Sequence, residues 1–461
     1  MKSFVFFAML VSFAGNHCFS QIFAGSLDTS PAGWNGPVFA LHTSYPKKIS
    51  KEKNRPWLQY NFKTQPEQYM QAVLRYFLAG NTANGFDVKN NKTRKWYHAP
   101  SMSWQPANRA FGREFIHGLT RERNSPAREL YPTQSGMVQN WAVGFYNATG
   151  AYTFGRVWAD TNNLQTGSAV FPEGTVTAKL LFTAARPEEV PYINGSLEWQ
   201  ANIHTALFGS AKRKPQTVRL LQIDIAVKDA RANAFTGWVF GTFAYHASAN
   251  GNTVWKKLVP VGLMWGNDSS KFDGQRLKET WINPAYIALF TFPDGKRMHL
   301  GYKGRLNGPV DNPASSCLSC HATAQSPQFR PITPDTGKPA DLSVFFRNVK
   351  SNESFDGLPG SISMDYSLQL AGGVAAALAN RASGTSSMQP DADNIKRLEY
   401  FITSMEDSSN TPQPMPIVPG SAGNDKAYMY NRRLPAKKYA AWVIGCWAVV
   451  PVLVAIRIFK K

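Results

Sequence analysis

The pentapeptide Cys317-Leu318-Ser319-Cys320-His321 restricts this chain more than any other stretch. It reads C-x-x-C-H, the attachment sequence for a covalently bound c-type haem. The two thiols add across the porphyrin vinyl groups, and two intervening residues hold the sulfurs at the vinyl separation. The next residue presents its imidazole to the iron as proximal ligand. Only four cysteines occur, and the other two, Cys18 and Cys446, lie in hydrophobic end segments. No second C-x-x-C completes a four-ligand zinc site, and no βαβ setting suggests a thioredoxin-like motif. A disulfide or a partial metal site is the competing reading of the pair.

The two ends bear on location. Residues 1–20 have the form of a secretory signal: Lys2 at the start, an apolar stretch from Phe4 to Ala14, and Cys18-Phe19-Ser20 before Gln21. At the other end, Tyr439 to Ile456 is an uncharged run of 18 residues flanked by Lys437, Lys438, Arg457, Lys460 and Lys461. Its length and basic borders predict a single transmembrane helix, with a buried C-terminal helix as the bland alternative. Haem ligation to C-x-x-C-H in bacteria takes place outside the cytoplasmic membrane. The expectation is therefore a periplasmic body on a bacterial cell membrane, held by a C-terminal single-pass anchor.

Charge limits the partners. The formal net charge is +20, but Lys and Arg are spread along the chain rather than gathered in one arm, which argues against nucleic acid. Spread basic charge suits an anionic membrane surface or an acidic redox partner, and suits equally a solvated surface with no specific partner.

The pattern along the chain predicts an α+β protein: an antiparallel β-sheet haem-binding core with an N-terminal irregular and helical region, a helical C-terminal part and one C-terminal transmembrane helix. After the signal peptide, residues 21–135 are irregular and aromatic-rich. One helix stands out there, opened by Pro66-Glu67, carrying Tyr69, Met70, Val73, Leu74 and Phe77 at helical spacing, and closed by Gly80. Residues 136–325 change to period two. Val138–Tyr146, Tyr152–Trp158, Thr175–Phe182, Val218–Val227, Trp238–Tyr245 and Leu258–Met264 read as strands between Gly, Pro, Asn and Asp turns. From Gln222 to Val227 polar and apolar residues alternate, as in a half-buried strand. Residues 326–406 read as helical, over Tyr366–Ala379 and Ala392–Met405; residues 407–435 are a linker to the anchor at 436–461.

Two stretches of the sheet region resemble the cytochrome P-460 and cytochrome c′-β family. Phe171-Pro172-Glu173-Gly174-Thr175-Val176 is similar to its turn-and-strand signature. Leu221 to Arg231, running on to Thr236-Gly237-Trp238-Val239-Phe240-Gly241-Thr242-Phe243, is similar to its following strand pair, and C-x-x-C-H comes after both. The likeness covers roughly residues 150–325. The long separation between Trp238 and Cys317, and the long extension after His321, depart from it. The resemblance implies an antiparallel sheet cradling one haem c, with His321 as proximal ligand. In the hydroxylamine-oxidising members a sheet lysine cross-links to the porphyrin, and Lys179 stands where that residue would be sought. A strand lysine also has an ordinary role, pointing to solvent. The c′-β members lack the bond and bind nitric oxide in an apolar distal pocket.

The sixth iron ligand has several candidates. Met388, before the last expected helix, sits where a small cytochrome domain places its axial methionine; Met364 and His299 are alternatives. His98, His117, His204 and His246 show no metal-ligand spacing and read as structural. Two functions follow. The first is a membrane-anchored periplasmic monohaem cytochrome carrying electrons. The second is a haem enzyme or sensor acting on hydroxylamine or nitric oxide at a five-coordinate iron. A haem-free scaffold is the outsider.

Overall fold

Alternating side chains along eight-residue runs need a partner on both sides, and here they find it in a single nine-stranded antiparallel sheet. The computed structural model describes residues 30–384 except 31, 50, 51, 53, 101, 103–111, 208–211, 269–276, 293–299, 328–331, 334–343, 356, 358 and 359. In chain order the strands are β1 (Trp96–Tyr97), β2 (Thr120–Arg121), β3 (Asn140–Asn147), β4 (Val176–Thr183), β5 (Glu198–His204), β6 (Arg213–Lys228), β7 (Trp238–Tyr245), β8 (Leu258–Met264) and β9 (Thr280–Ile282). The spatial order is β1-β3-β4-β6-β7-β8-β9, with β2 also paired to β3 and β5 to β6. A two-stranded ribbon, β10 (Gln325–Ser326) with β11 (Ile362–Ser363), lies outside it.

Register decides which residues share a face. Gly144, Lys179, Asp224 and Thr242 are successive partners across β3, β4, β6 and β7. Tyr146, Thr177, Ala226 and Phe240 form the next row on the same side. The opposite side carries Val143, Phe145, Ala178, Leu180, Ile223, Ile225 and Val239 in a buried cluster. Helix α1 (Pro66–Leu78) covers that side with Tyr69, Met70, Val73, Leu74 and Phe77, all buried. Its proline at the first turn and the acidic Glu67 fit the helix N-terminus.

On the first face lie α2 (Ala148–Val157), α3 (Pro284–Leu289), α4 (Cys317–Ala322) and α5 (Leu368–Gly384), around the second apolar cluster. The expected strand Tyr152–Trp158 is instead most of α2. Asn147 ends β3 and its Oδ1 accepts from Gly150 N, so the chain turns into a helix that buries Ala151, Phe154 and Val157. The helix expected from Tyr366 starts at Leu368, because Asp365 and Tyr366 have left-handed φ values of 49° and 64°.

Two expectations are corrected. The α+β description with a terminal membrane helix gives way, among the described residues, to one large antiparallel sheet with few helices. The single-pass anchor in a bacterial cell membrane is set aside, since no helix among the described residues is long and apolar enough to cross a membrane. Residues 436–461, the signal segment 1–20, the linker 407–435 and the expected helix Ala392–Met405 lie outside the described residues.

Candidate functional site

Helix α4 begins where β8 ends. Leu318 N points at Met264 Sδ (3.4 Å), and Cys317 N donates to Leu306 O (3.1 Å). A reciprocal cap starts the turn: Ser316 Oγ accepts from Ser319 N (3.1 Å) while Ser316 N donates to Ser319 Oγ (2.7 Å). Leu318 and Ala322 are buried in the core, which turns Cys317, Cys320 and His321 to one cavity. The cavity volume is about 180 Å³. The sheet rows named above form one wall, α5 begins another with Leu368 and Gln369, and the loop from Asn307 to Asn312 forms a third.

Two glycines lie at these contacts. A Cβ at Gly144 would collide with the Gln369 side chain, and one at Gly308 with the Gln222 side chain. Each glutamine amide thus lies directly against a glycine, and an added methyl group there would make the flexible end of that side chain shift.

The surroundings set the protonation of the three motif residues. Both cysteines are free thiols. Burial pushes the Cys320 thiol up to about 12 and Cys317 well above the ordinary thiol range, so neither offers a thiolate. A neutral thioether avoids that cost. His321 Nδ1 lies 2.7 Å from Tyr366 O, so Nδ1 carries the proton and Nε2 keeps its lone pair for a metal. Burial lowers the imidazole pKa to about 4, against the raising effect of that carbonyl, which keeps the ring neutral at pH 7. Phe240 packs against it at 4.7 Å between centroids. One further feature fits a bound group: Asn312, 4 % exposed on the cavity wall, has its Oδ1 committed to Ala314 N, while its Nδ2 finds no acceptor among the described residues. The two thiols, the free Nε2 and this spare donor fit a haem c. Among the described residues, no three His, Cys, Asp or Glu side chains converge on a metal-ion site.

Across from the motif the sheet supplies charge. Lys179 Nζ pairs with Glu122 Oε2 at 2.9 Å, and the lysine lines the cavity rather than leaving it. Burial works against its ammonium, but Glu122, Asp224 and Asp311 outweigh this and raise its pKa. Asp224 is the neighbour in register. It accepts from Thr242 Oγ1 (2.8 Å) and from Gln222 Nε2 (3.1 and 3.2 Å to its two oxygens). Burial first, and then the Asp311 carboxylate, push its pKa up to about 7 in spite of Lys179. Gln222 Oε1 in turn accepts from Val310 N (3.2 Å), which ties the strand to the loop. Thr242 Oγ1 is 3.9 Å from Cys317 Sγ, so this row reaches the attachment motif.

No known protein family, curated protein or solved structure matches this chain. Cys317, Cys320, His321 and Lys179 share one cavity. Met364 is buried in the core and is absent from the cavity wall, while Met388 and His299 fall outside the described residues. His98, His117, His204 and His246 lie elsewhere. His98 Nδ1 accepts from His42 N, His246 Nδ1 from Ser248 N, and His117 and His204 stack on Trp199 and Trp141. Asp224, Glu122, Asp311, Asn312 and Tyr366 went unremarked as site residues in the sequence. For Asp224 the signal was present, as a polar residue facing one side of an alternating strand.

Proposed function

We propose that this chain is a monohaem c-type cytochrome whose haem c is held by Cys317 and Cys320 through thioethers and by His321 at the iron. The observation that carries the reading is the opening of both thiols and the free His321 Nε2 onto one cavity that also contains Lys179 and Asp224. When bound, such a haem supplies one-electron redox chemistry and, where a coordination position is open, a site for a small ligand.

The ionisable sheet row favours redox conversion of a small nitrogen compound such as hydroxylamine or nitric oxide. A carboxyl near pH 7 exchanges a proton in the working range, and Asp224 holds that proton within reach of the cavity. Thr242 and Gln222 orient its two oxygens. Lys179 keeps a positive charge on the same wall and balances the carboxylates around it. On the P-460 resemblance its amine would also be the porphyrin-linking group. A second reading, electron carriage, is favoured by the net charge of +20, which suits an acidic redox partner.

Intact-mass measurement and a ferrous spectrum of the full chain, made with haem-maturation factors, test this. The expected result is one covalent haem, a high-spin spectrum and a shift on adding nitric oxide. A low-spin spectrum unmoved by nitric oxide selects electron carriage. A long-wavelength ferrous Soret band identifies a lysine link, which Lys179→Met would abolish. Two unmodified thiols would sink the haem reading.

A further inference from the structure

The carbonyl beside His321 belongs to backbone that side-chain-bearing residues avoid. Asp365 and Tyr366 stand in succession at φ 49° and 64°, where the Cβ crowds the peptide and the conformation survives only if its surroundings impose it. The surroundings do so through one carboxylate. Asp365 is fully buried. Its Oδ1 accepts from Lys228 Nζ (2.7 Å), Trp238 Nε1 (2.9 Å) and Ser351 Oγ (2.9 Å), and its Oδ2 from Phe171 N (2.7 Å). These donors come from β6, β7, the loop before β11 and the turn before β4, so four separate pieces of chain meet at one side chain.

Tyr366 is fixed from its other end. Its hydroxyl donates to Val349 O (3.0 Å) and accepts from Val349 N (2.8 Å). Met364 N donates to Ala324 O (2.8 Å), just past the end of α4, which joins this turn to the helix that carries the motif.

We propose that Asp365 is a positioning residue for the axial imidazole. Its four-donor clamp imposes the left-handed turn and so keeps the Tyr366 carbonyl on His321 Nδ1–H. The inference rests on the haem reading above. A carbonyl held on Nδ1–H makes the imidazole a stronger electron donor through Nε2. A stronger donor favours ferric over ferrous iron, so the clamp lowers the midpoint potential of the haem.

The test uses the full-length chain with haem attached, as wild type, Asp365→Asn, Tyr366→Phe and Ser351→Ala. Intact mass comes first: a wild-type chain without haem removes the haem reading and this proposal with it. With haem present, the ferrous iron–imidazole stretching band and the midpoint potential are read. The band is expected at lower frequency and the potential higher in Asp365→Asn. Tyr366→Phe follows in the same direction, and Ser351→Ala, which removes one donor of four, moves both least. A higher potential with the band unmoved in Asp365→Asn overturns the proposal, because the carboxylate then acts only as a buried charge. So does a band unchanged in Tyr366→Phe. If Asp365→Asn does not fold, Tyr366→Phe and Ser351→Ala decide on the same readings.

Discussion

The two faces of the sheet are made by the same strands and serve opposite ends. Behind it, Phe145, Ala178, Leu180, Ile225 and Val239 join the aromatic stripe of α1 in one buried apolar cluster. In front, the residues one position along present Gly144, Lys179, Asp224 and Thr242 to a cavity. A buried charge is costly wherever it sits, and proteins carry one only where hydrogen bonds or ions meet it. The rear face gives the strands their stability, since each fully buried aliphatic or phenyl side chain contributes roughly 1.5–3 kcal/mol. That leaves the front face free to hold groups chosen for chemistry rather than packing.

The contrast can be broken from either side. Phe77→Ala, deep in the rear core, is expected to lower stability by about 3–5 kcal/mol, measured by denaturant unfolding, with the spectrum of the proposed haem unchanged. A changed spectrum would mean that the faces are not independent. Asp224→Asn should act mainly through pH. The folded protein retains the Asp224 proton up to about 7, whereas an ordinary aspartic acid, at 3.8, has already released it in the unfolded chain. Stability from this group therefore falls as pH rises from 3.8 to about 7 and is level on either side. The difference between wild type and Asp224→Asn, followed by thermal unfolding across that range, should show this slope. A flat difference would refute the assignment. Lys179→Met should have the smallest effect on stability. Its ion pair with Glu122 keeps side-chain exposures of 30 % and 23 %, so a loss of about 1 kcal/mol or less is expected. A much larger loss would show that the lysine carries the front face as well as lining it.

Much of the rear face was legible in the sequence. The period of α1 and its proline start gave the helix, and Trp238–Tyr245 and Leu258–Met264 were delimited by their flanking turns. The stretch Tyr152–Trp158 misled because aromatic and β-branched residues favour strands on average, while the deciding contact, Asn147 Oδ1 on Gly150 N, depends on where β3 ends. The front face was half legible. C-x-x-C-H singles out Cys317, Cys320 and His321, which share the cavity, and the strand alternation marks Asp224 as facing one side. Nothing local places Glu122, Asp311 or Asn312 beside it, because they arrive from loops far apart in sequence and meet only through the strand order. The Tyr366 carbonyl was invisible for a further reason: a main-chain acceptor has no residue type.

Strand β6 runs for 16 residues and changes neighbours midway, pairing β5 along Arg213–Arg219 and both β4 and β7 from Gln222 onward. Its residues near Ile223 and Ile225 have a ladder on each side, so each amide exchanges only when the neighbouring strand it donates to separates. Deuterium uptake should be slowest there, and β6 should be the last piece of the sheet to surrender its protons as the molecule breathes.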